Sequence, residues 1–187
     1  MYINWIIPTL KMNNLRFIAG IIFIANLIAC VESRPKVEKD QLDDQQIEES
    51  LLKANRYLVR SEEEDINDFI RRYGWKMDKS GTGLRYAIEE TGRGNKVSYG
   101  QLVTLEYSVK LLTGEEVYSS IKDGLKQFVA GRGGVEAGLE EGIIMMRKGD
   151  RAKFVLPSHL AFGLLGDSER IPPRTTLVYE VHLIDIQ

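Results

Sequence analysis

An α+β domain, antiparallel strands packed against one short helix, is the fold class this sequence predicts for residues 75–187. Three observations predict it. The segments Leu84–Ile88, Val103–Lys110 and Thr176–Ile186 alternate with the period of two that sends successive side chains to opposite faces of a strand. A single helix-length stretch, Val135–Met146, comes late in the order, with strands before and after it. Short turn signals rather than crossover helices separate the strands, which suits antiparallel pairing with the helix across one sheet face.

Taken in order, residues 1–30 read as a lipoprotein signal peptide. Phe17–Ala29 is an apolar run preceded by Lys11 and Arg16, short for a bilayer span but the right shape for a signal-peptide core. It ends in Leu27-Ile28-Ala29-Cys30, which resembles a bacterial lipobox. The chemistry there needs a thiol for thioether attachment and a small residue before it for the peptidase. Cys30 is the single cysteine, so no intrachain disulfide is available and a lipid-anchor role is the expectation. An uncleaved N-terminal anchor with an incidental cysteine is the alternative. Met12 is a second candidate start. Either way the chain is expected to be exported and tethered to a membrane, on the periplasmic face of the inner or outer one.

Residues 31–44 are charged, contain Pro35 and lack aromatics, the composition of a linker. Residues 45–74 form a helical extension, with Ile47, Leu51, Ala54 and Leu58, then Ile66, Phe69, Ile70 and Tyr73 at helical spacing. Ser61 with Glu64 resembles a capping box and predicts the start of a second helix, which Gly74 ends. Each apolar stripe suits either packing on the following domain or self-association.

From Trp75 the texture changes. Ser80–Gly83 and Gly92–Asn95 are turn chemistry, and Thr113–Glu116 predicts a hairpin into Val117–Ser119. Phe128–Ala130 is a short strand, and Gly131–Gly134 leads into the helix, which Lys148–Asp150 ends. Arg151–Leu156 is a strand stopped by Pro157. A loop follows, Ser158–Gly163, then the polar stretch 164–170 and the rigid corner Ile171-Pro172-Pro173. In the last strand Leu177, Tyr179, Val181 and Leu183 share one face; Val178, Glu180, His182 and Ile184 share the other. Two strands joined by a long loop carrying an aromatic, glycines and a Pro-Pro corner make a scaffold with a rim, and the binding site is expected there.

Composition and motifs exclude much. The chain carries a net charge of −2, is 43% apolar and 28% charged, and without Lys11 and Arg16 holds 23 basic against 27 acidic groups. No basic stripe remains to displace phosphate counterions, so no nucleic-acid partner is expected. Two histidines and one cysteine do not furnish a multi-ligand zinc site. Gly131–Gly134 precedes a helix but lacks the Gly-Lys-Ser/Thr of a phosphate loop. Ser119, Ser120 and Ser158 have no nucleophile elbow; His159 reads as a hydrogen-bonded structural residue, His182 and Glu140-Glu141 as solvated. No cofactor is implied. What remains is an apolar set, Tyr107, Phe128, Val135, Leu139, Phe162, Ile171 and Tyr179, which composition alone would assign to the core.

These residues sit in segments that resemble the FKBP-type peptidyl-prolyl isomerases. The resemblance covers about residues 84–187 and rests on Val103–Tyr107, Gly138–Gly142, Met146–Ala152, Ala161–Gly163, and Ile171–Pro173 leading to Thr176–Val181; Thr82–Tyr86 resembles the first strand of bacterial members. It implies a strongly twisted antiparallel sheet wrapped around one short helix. It also implies a pocket lined by Tyr107, Phe128, Val135, Phe162, Ile171 and Tyr179, floored by Leu139, with the Glu136 amide donating to the ligand carbonyl. Pro157–Gly163 and Val117–Ser119 further resemble the lipid-anchored FKBP-type proteins of Bacteroidetes associated with gliding motility.

Against the family pattern, Leu139 stands where many members have Trp, Phe162 replaces a Tyr, Tyr118 occupies the place of a pocket Asp beside Val117, and Glu136 replaces an aliphatic residue. These departures count against macrolide binding. Two readings follow. One is a membrane-tethered prolyl isomerase that helps exported proteins fold; Phe162→Ala and Tyr179→Ala are then expected to abolish turnover while leaving the domain folded. The other is a non-catalytic module that grips proline-containing or unfolded segments within a motility or secretion assembly.

Overall fold

The computed structural model describes residues 44–187; the expected signal peptide with Cys30 and the linker, Asp44 excepted, lie outside the described residues. The compact unit Ile47–Gln187 contains the elements that build the site.

Among the described residues the first helix, α1 (Asp44–Arg72), is one continuous element of 29 residues, not the two expected. The capping box does not form. Glu64, which would have to reach back to the amide of Ser61, pairs with Arg60 at 3.1 Å, and the pair Lys53–Glu49 at 2.8 Å supports the preceding turns in the same i,i+4 manner. With no Gly or Pro between Asp44 and Arg72, nothing interrupts the backbone. The expected stop does occur at Gly74 (φ 65°): its N–H donates to the Arg71 carbonyl and the Trp75 N–H to that of Ile70, the bond pair of a Schellman motif.

Seven strands form one antiparallel sheet: β1 (Asp78–Lys79), β2 (Arg85–Glu90), β3 (Leu102–Leu111), β4 (Glu116–Ser119), β5 (Lys126–Val129), β6 (Arg151–Leu156) and β7 (Leu177–Ile186). The order is β1-β2-β6-β7-β3-β4, and β5 also pairs with β3. The ten-residue β3 holds this together, lying against β7 along one side and sharing its other side between β5 at Leu102–Leu105 and β4 at Ser108–Lys110. A one-turn helix, α2 (Ser120–Asp123), links β4 to β5, and α3 (Ala137–Met145) precedes β6.

Helix α3 lies close against the inner sheet face because two glycines one turn apart face it. A Cβ at Gly138 would stand 2.6 Å from Cγ of Leu156, and one at Gly142 2.7 Å from Cζ of Phe154. Leu139 and Ile143 beside them are fully buried, joining Leu84, Leu105, Phe154, Leu177, Tyr179 and Leu183 in the main core. On the outer face a smaller core forms where Ile66 and Phe69 of α1 cover Val155 and Val178, with Trp75 and Met77 at its edge. The C-terminal half of α1 thus packs on the domain, the first of the two expectations for its stripe. Buried Arg85 fixes the join, donating to Glu63 and Asn67 of α1 at 3.1 Å each and to the Gly83 carbonyl at 3.0 Å. Toward its N-terminus, Ile47, Leu51, Leu52, Tyr57 and Val59 are exposed.

Between β6 and β7 the chain leaves the sheet as a rim loop that opens with a 3-10 turn, Ser158–Leu160. Among the described residues, Ser168 (φ 67°) and Arg174 (φ 57°) are the only non-glycine residues in the left-handed region, and both lie in this loop. Backbone held in so sparsely populated a conformation is over-determined by its surroundings and is concentrated at functional sites.

Candidate functional site

A cavity of about 400 Å³ opens between β3, β4, β5, the start of α3, β7 and the rim loop. Alternation brings Tyr107 and Val109 of β3 and Tyr179 of β7 to it; Tyr118 comes from β4 and Phe162 from the rim loop. Tyr179 is 1% exposed, whereas Tyr107 and Phe162 are half-buried and form the open walls. A hollow of about 420 Å³ on the outer sheet face is lined mainly by charged and polar side chains, among them Glu89, Arg151, Lys153 and His182, and lacks such a cluster of rings.

The cavity also holds charges that the sequence reading did not bring there. Phe128 and Lys126 share a face of β5, opposite Val103 and Leu105, so both point inward. The Lys126 ammonium lies 5.5 Å from the ring centre of Tyr107 and 5.8 Å from that of Tyr179, within the range of cation–π attraction. It stands 3.3 Å from Oε2 of Glu136, whose side chain is only 5% exposed, and the Tyr179 hydroxyl donates to Oε1 of the same carboxylate at 2.5 Å. A buried carboxylate is tolerated when its charge is opposed and its lone pairs are used, and here both conditions hold. The Glu136 carbonyl accepts the Glu140 amide at 3.0 Å as α3 begins, while no group among the described residues accepts the Glu136 N–H.

A second network ties the rim loop to β4. The Tyr118 hydroxyl donates to Oδ2 of Asp167 at 2.5 Å, and Oδ1 accepts the amides of Glu169, Arg170 and Ile171 at 2.8–2.9 Å. The Arg170 guanidinium stacks 4.6 Å over the Tyr118 ring and donates to Asp123 and to the Val117 carbonyl at 3.0 Å each. A pocket acid therefore exists although position 118 is a tyrosine: Asp167 and Asp123 both line the cavity.

Ionisation follows from these contacts. Burial first, then the neighbouring Glu136 charge and its hydrogen bond, hold the Tyr179 hydroxyl protonated well above its usual range. The bond to Asp167, helped by burial, does the same for Tyr118, and burial with Asp123 and Glu136 nearby raises Tyr107. Burial works against the Asp167 charge, yet the Tyr118 hydroxyl and three backbone amides together keep its carboxyl below the usual aspartate range. Near neutral pH the cavity thus contains neutral phenols beside the ionised carboxylates of Asp167 and Asp123.

Of the residues singled out from sequence, Tyr107, Tyr118, Glu136, Phe162 and Tyr179 come together on the cavity wall. Phe128, Leu139, Ile171 and Val117 are buried in the adjoining core, and Val135 packs against it half-buried; none of these five lines the cavity. Sequence reasoning missed Val109, Lys126, Asp123, Asp167 and Glu169. The signal for Lys126 was its spacing of two from Phe128, with an acid ten residues on to neutralise it. Asp167 had no comparable signal, since a loop carboxylate between Gly166 and Ser168 reads as ordinary turn chemistry. Full burial of Tyr179 also corrects the expectation for Tyr179→Ala: truncating a buried ring costs about 3–5 kcal/mol, so that variant reports on folding as well as turnover.

Known proteins resemble this chain in sequence and in fold. Residues 94–184 match the sequence pattern of the FKBP-type peptidyl-prolyl cis-trans isomerases. The FKBP-type peptidyl-prolyl cis-trans isomerase FkpA of Escherichia coli (strain K12) is 32% identical over an alignment 166 residues long that covers 80% of this chain and 60% of that protein, so the chain spans less than two thirds of this relative's length. FK506-binding protein 2 of Yarrowia lipolytica is 34% identical over 112 residues, covering 59% of this chain and 78% of that protein. Among solved structures, FkpA from Escherichia coli superposes with a TM-score of 0.59 at 26% identity, covering 95% of this chain and 84% of that one. AtFKBP13 superposes at 0.58 with 27% identity, covering 60% of this chain and all of that one. On sequence and fold together, the chain belongs to the family of FKBP-type peptidyl-prolyl cis-trans isomerases.

Proposed function

We propose that this chain accelerates cis–trans isomerisation of X-Pro bonds in polypeptides. The observation that carries the proposal is the cavity walled by Tyr107, Phe162 and Tyr179 and lined also by Glu136, whose N–H no group among the described residues accepts. Its volume, about 400 Å³, lies in the range of about 300–1,000 Å³ typical of ligand sites. Rotation of an amide meets a barrier of about 18–20 kcal/mol from resonance, and no proton or nucleophile is needed to lower it. A wall of rings that removes water from the imide favours the twisted form, which has lost its resonance and much of its carbonyl charge. An N–H donor that holds a neighbouring carbonyl fixes the peptide while the bond turns. Binding of the twisted form more tightly than either planar isomer is the whole of the catalysis.

The proposal extends to location. Cys30 receives the lipid, the chain stands on the periplasmic face of the inner or outer membrane, and its clients are exported proteins. Support for this comes from Leu27–Cys30 and the apolar run before it. The Pro157–Gly163 segment supports kinship with the gliding-motility lipoproteins.

A second reading, a non-catalytic grip on unfolded segments, is favoured by the exposed apolar side chains Leu164, Leu165, Ile121 and Leu125, the first two in the rim loop and the others flanking Asp123. One experiment separates the two. Isomerisation of short X-Pro peptides is measured with the wild type and with Phe162→Ala, beside suppression of aggregation of an unfolded client. Acceleration that falls at least tenfold in Phe162→Ala supports the isomerase; a folded protein that protects the client without acceleration contradicts it.

A further inference from the structure

We propose that Glu62, on the N-terminal helix and far in sequence from the cavity, is a positioning residue that sets the place of Phe162. The inference rests on the pocket reading above. One carboxylate holds both ends of the rim loop. At the start of the loop, Oε1 of Glu62 accepts the Ser158 amide at 2.6 Å and Oε2 accepts the Ser158 hydroxyl at 3.0 Å. At its end, the Thr176 hydroxyl donates to Oε1 at 2.7 Å. Both partners are buried, Ser158 at 8% and Thr176 at 5% exposure, so water is a poor substitute for the carboxylate.

The connection to the cavity runs through Ser158. Its carbonyl accepts the amides of Ala161 (3.1 Å) and Gly163 (2.8 Å), the two neighbours of Phe162, and the Gly163 carbonyl in turn accepts the Arg174 amide at 2.8 Å. Phe162 thus hangs on a backbone knot that the Glu62 carboxylate anchors from outside the loop, beside the contact of the His159 ring with the Thr82 carbonyl at 3.0 Å. Charge-assisted hydrogen bonds are roughly twice as strong as neutral ones, and three on one carboxylate make the anchor stiff. The side of α1 that carries Glu62 is held in place one turn further on by Ile66, which is 1% exposed, and by the bonds of Arg85 to Glu63 and Asn67. The helical extension therefore serves the pocket directly as well as covering the sheet.

The test uses the full chain as wild type, Glu62→Ala and Glu62→Gln, with Glu49→Ala as a control at an exposed position of the same helix. Amide hydrogen exchange and steady-state kinetics on an X-Pro peptide are measured together. Glu62→Ala is expected to speed exchange at Ala161 and Gly163 at least tenfold while Leu139 and Ile143 in α3 keep their protection. It is also expected to lower kcat/KM about tenfold through a raised KM, because a displaced wall weakens every contact with the peptide. Glu62→Gln keeps an acceptor oxygen but loses the charge, and is expected to fall between. A merely structural role would instead scale kcat with the folded fraction and leave KM alone. Unchanged loop exchange and KM in Glu62→Ala overturn the proposal while leaving the isomerase reading intact. If Glu62→Ala exposes α3 as well, Glu62→Gln decides by the same two readouts. If the wild type does not turn over, the isomerase reading fails, and loop exchange with peptide affinity still decides the role of Glu62.

Discussion

Tyr179 brings its hydroxyl to the Glu136 carboxylate inside the cavity, and Lys126 opposes the same charge from β5. The three side chains form a polar cluster in the cavity, where the family resemblance had implied the ring of Tyr179 and the amide of Glu136 but no charged pair. Its physical consequence is a phenol that resists ionisation. A hydroxyl whose folded value is raised contributes stability that is complete below its ordinary value of 10.0 and is lost as pH climbs past it. Phenolate absorbance is therefore expected to show Tyr107, Tyr118 and Tyr179 ionising above the ordinary 10.0 of a tyrosine, and Tyr179→Phe should remove one of these late transitions. The same variant is expected to lose about 1–3 kcal/mol of stability, since it leaves the buried Glu136 short of a donor. A variant as stable as wild type, with all late transitions intact, would show that the hydroxyl and carboxylate are not partners. The aromatic members of the site were legible as residues of one motif set. Lys126 was not, because a charged residue at the mouth of a four-residue strand reads as solvated until the partner that neutralises it is seen beside it.

Among the elements, the strands were readable because their burial pattern needs only a period of two, and Leu177, Tyr179, Val181 and Leu183 do share the buried face of β7; which strand pairs with which, and in what register, was not readable. Helix α1 was misread as two because capping chemistry is local and weak: Glu64 had a competing partner in Arg60, and the continuing turns prevailed. Helix α3 depends on a detail that sequence spacing does contain, glycines at 138 and 142. Gly142→Ala is expected to destabilise the domain by about 1–3 kcal/mol, because its methyl would meet the Phe154 ring at 2.7 Å and the close-packed core cannot yield freely. Chemical denaturation checks this. A variant of wild-type stability would mean that α3 stands further from the sheet than the core described above requires.

At the scale of the whole molecule, the helical extension, the sheet and the rim loop act as one arrangement around the cavity. Ile66 and Phe69 cover the back of the sheet at Val155 and Val178, while Glu62 from the same helix reaches the two ends of the loop. No periodicity could have shown that second contact, since it joins residues 96 and 114 positions apart through one carboxylate. Tethering belongs to this scale as well. If Cys30 carries the lipid, wild type should fractionate with membranes and require detergent for release, and Cys30→Ser should pass to the soluble fraction. Equal partition of the two would remove the lipid from the account.

The central claim is that the ringed cavity itself turns the X-Pro bond, and exchange spectroscopy at equilibrium tests it most directly. A peptide with a single X-Pro bond gives separate cis and trans NMR signals, whose exchange is slow without a catalyst. Substoichiometric wild-type chain is expected to produce cis–trans exchange peaks within seconds, with chemical-shift changes at Tyr107, Phe162 and Tyr179, and Phe162→Ala should lose the exchange while keeping its fold. Binding shifts at those three residues without any exchange peak, or exchange unaffected by Phe162→Ala, would contradict the claim.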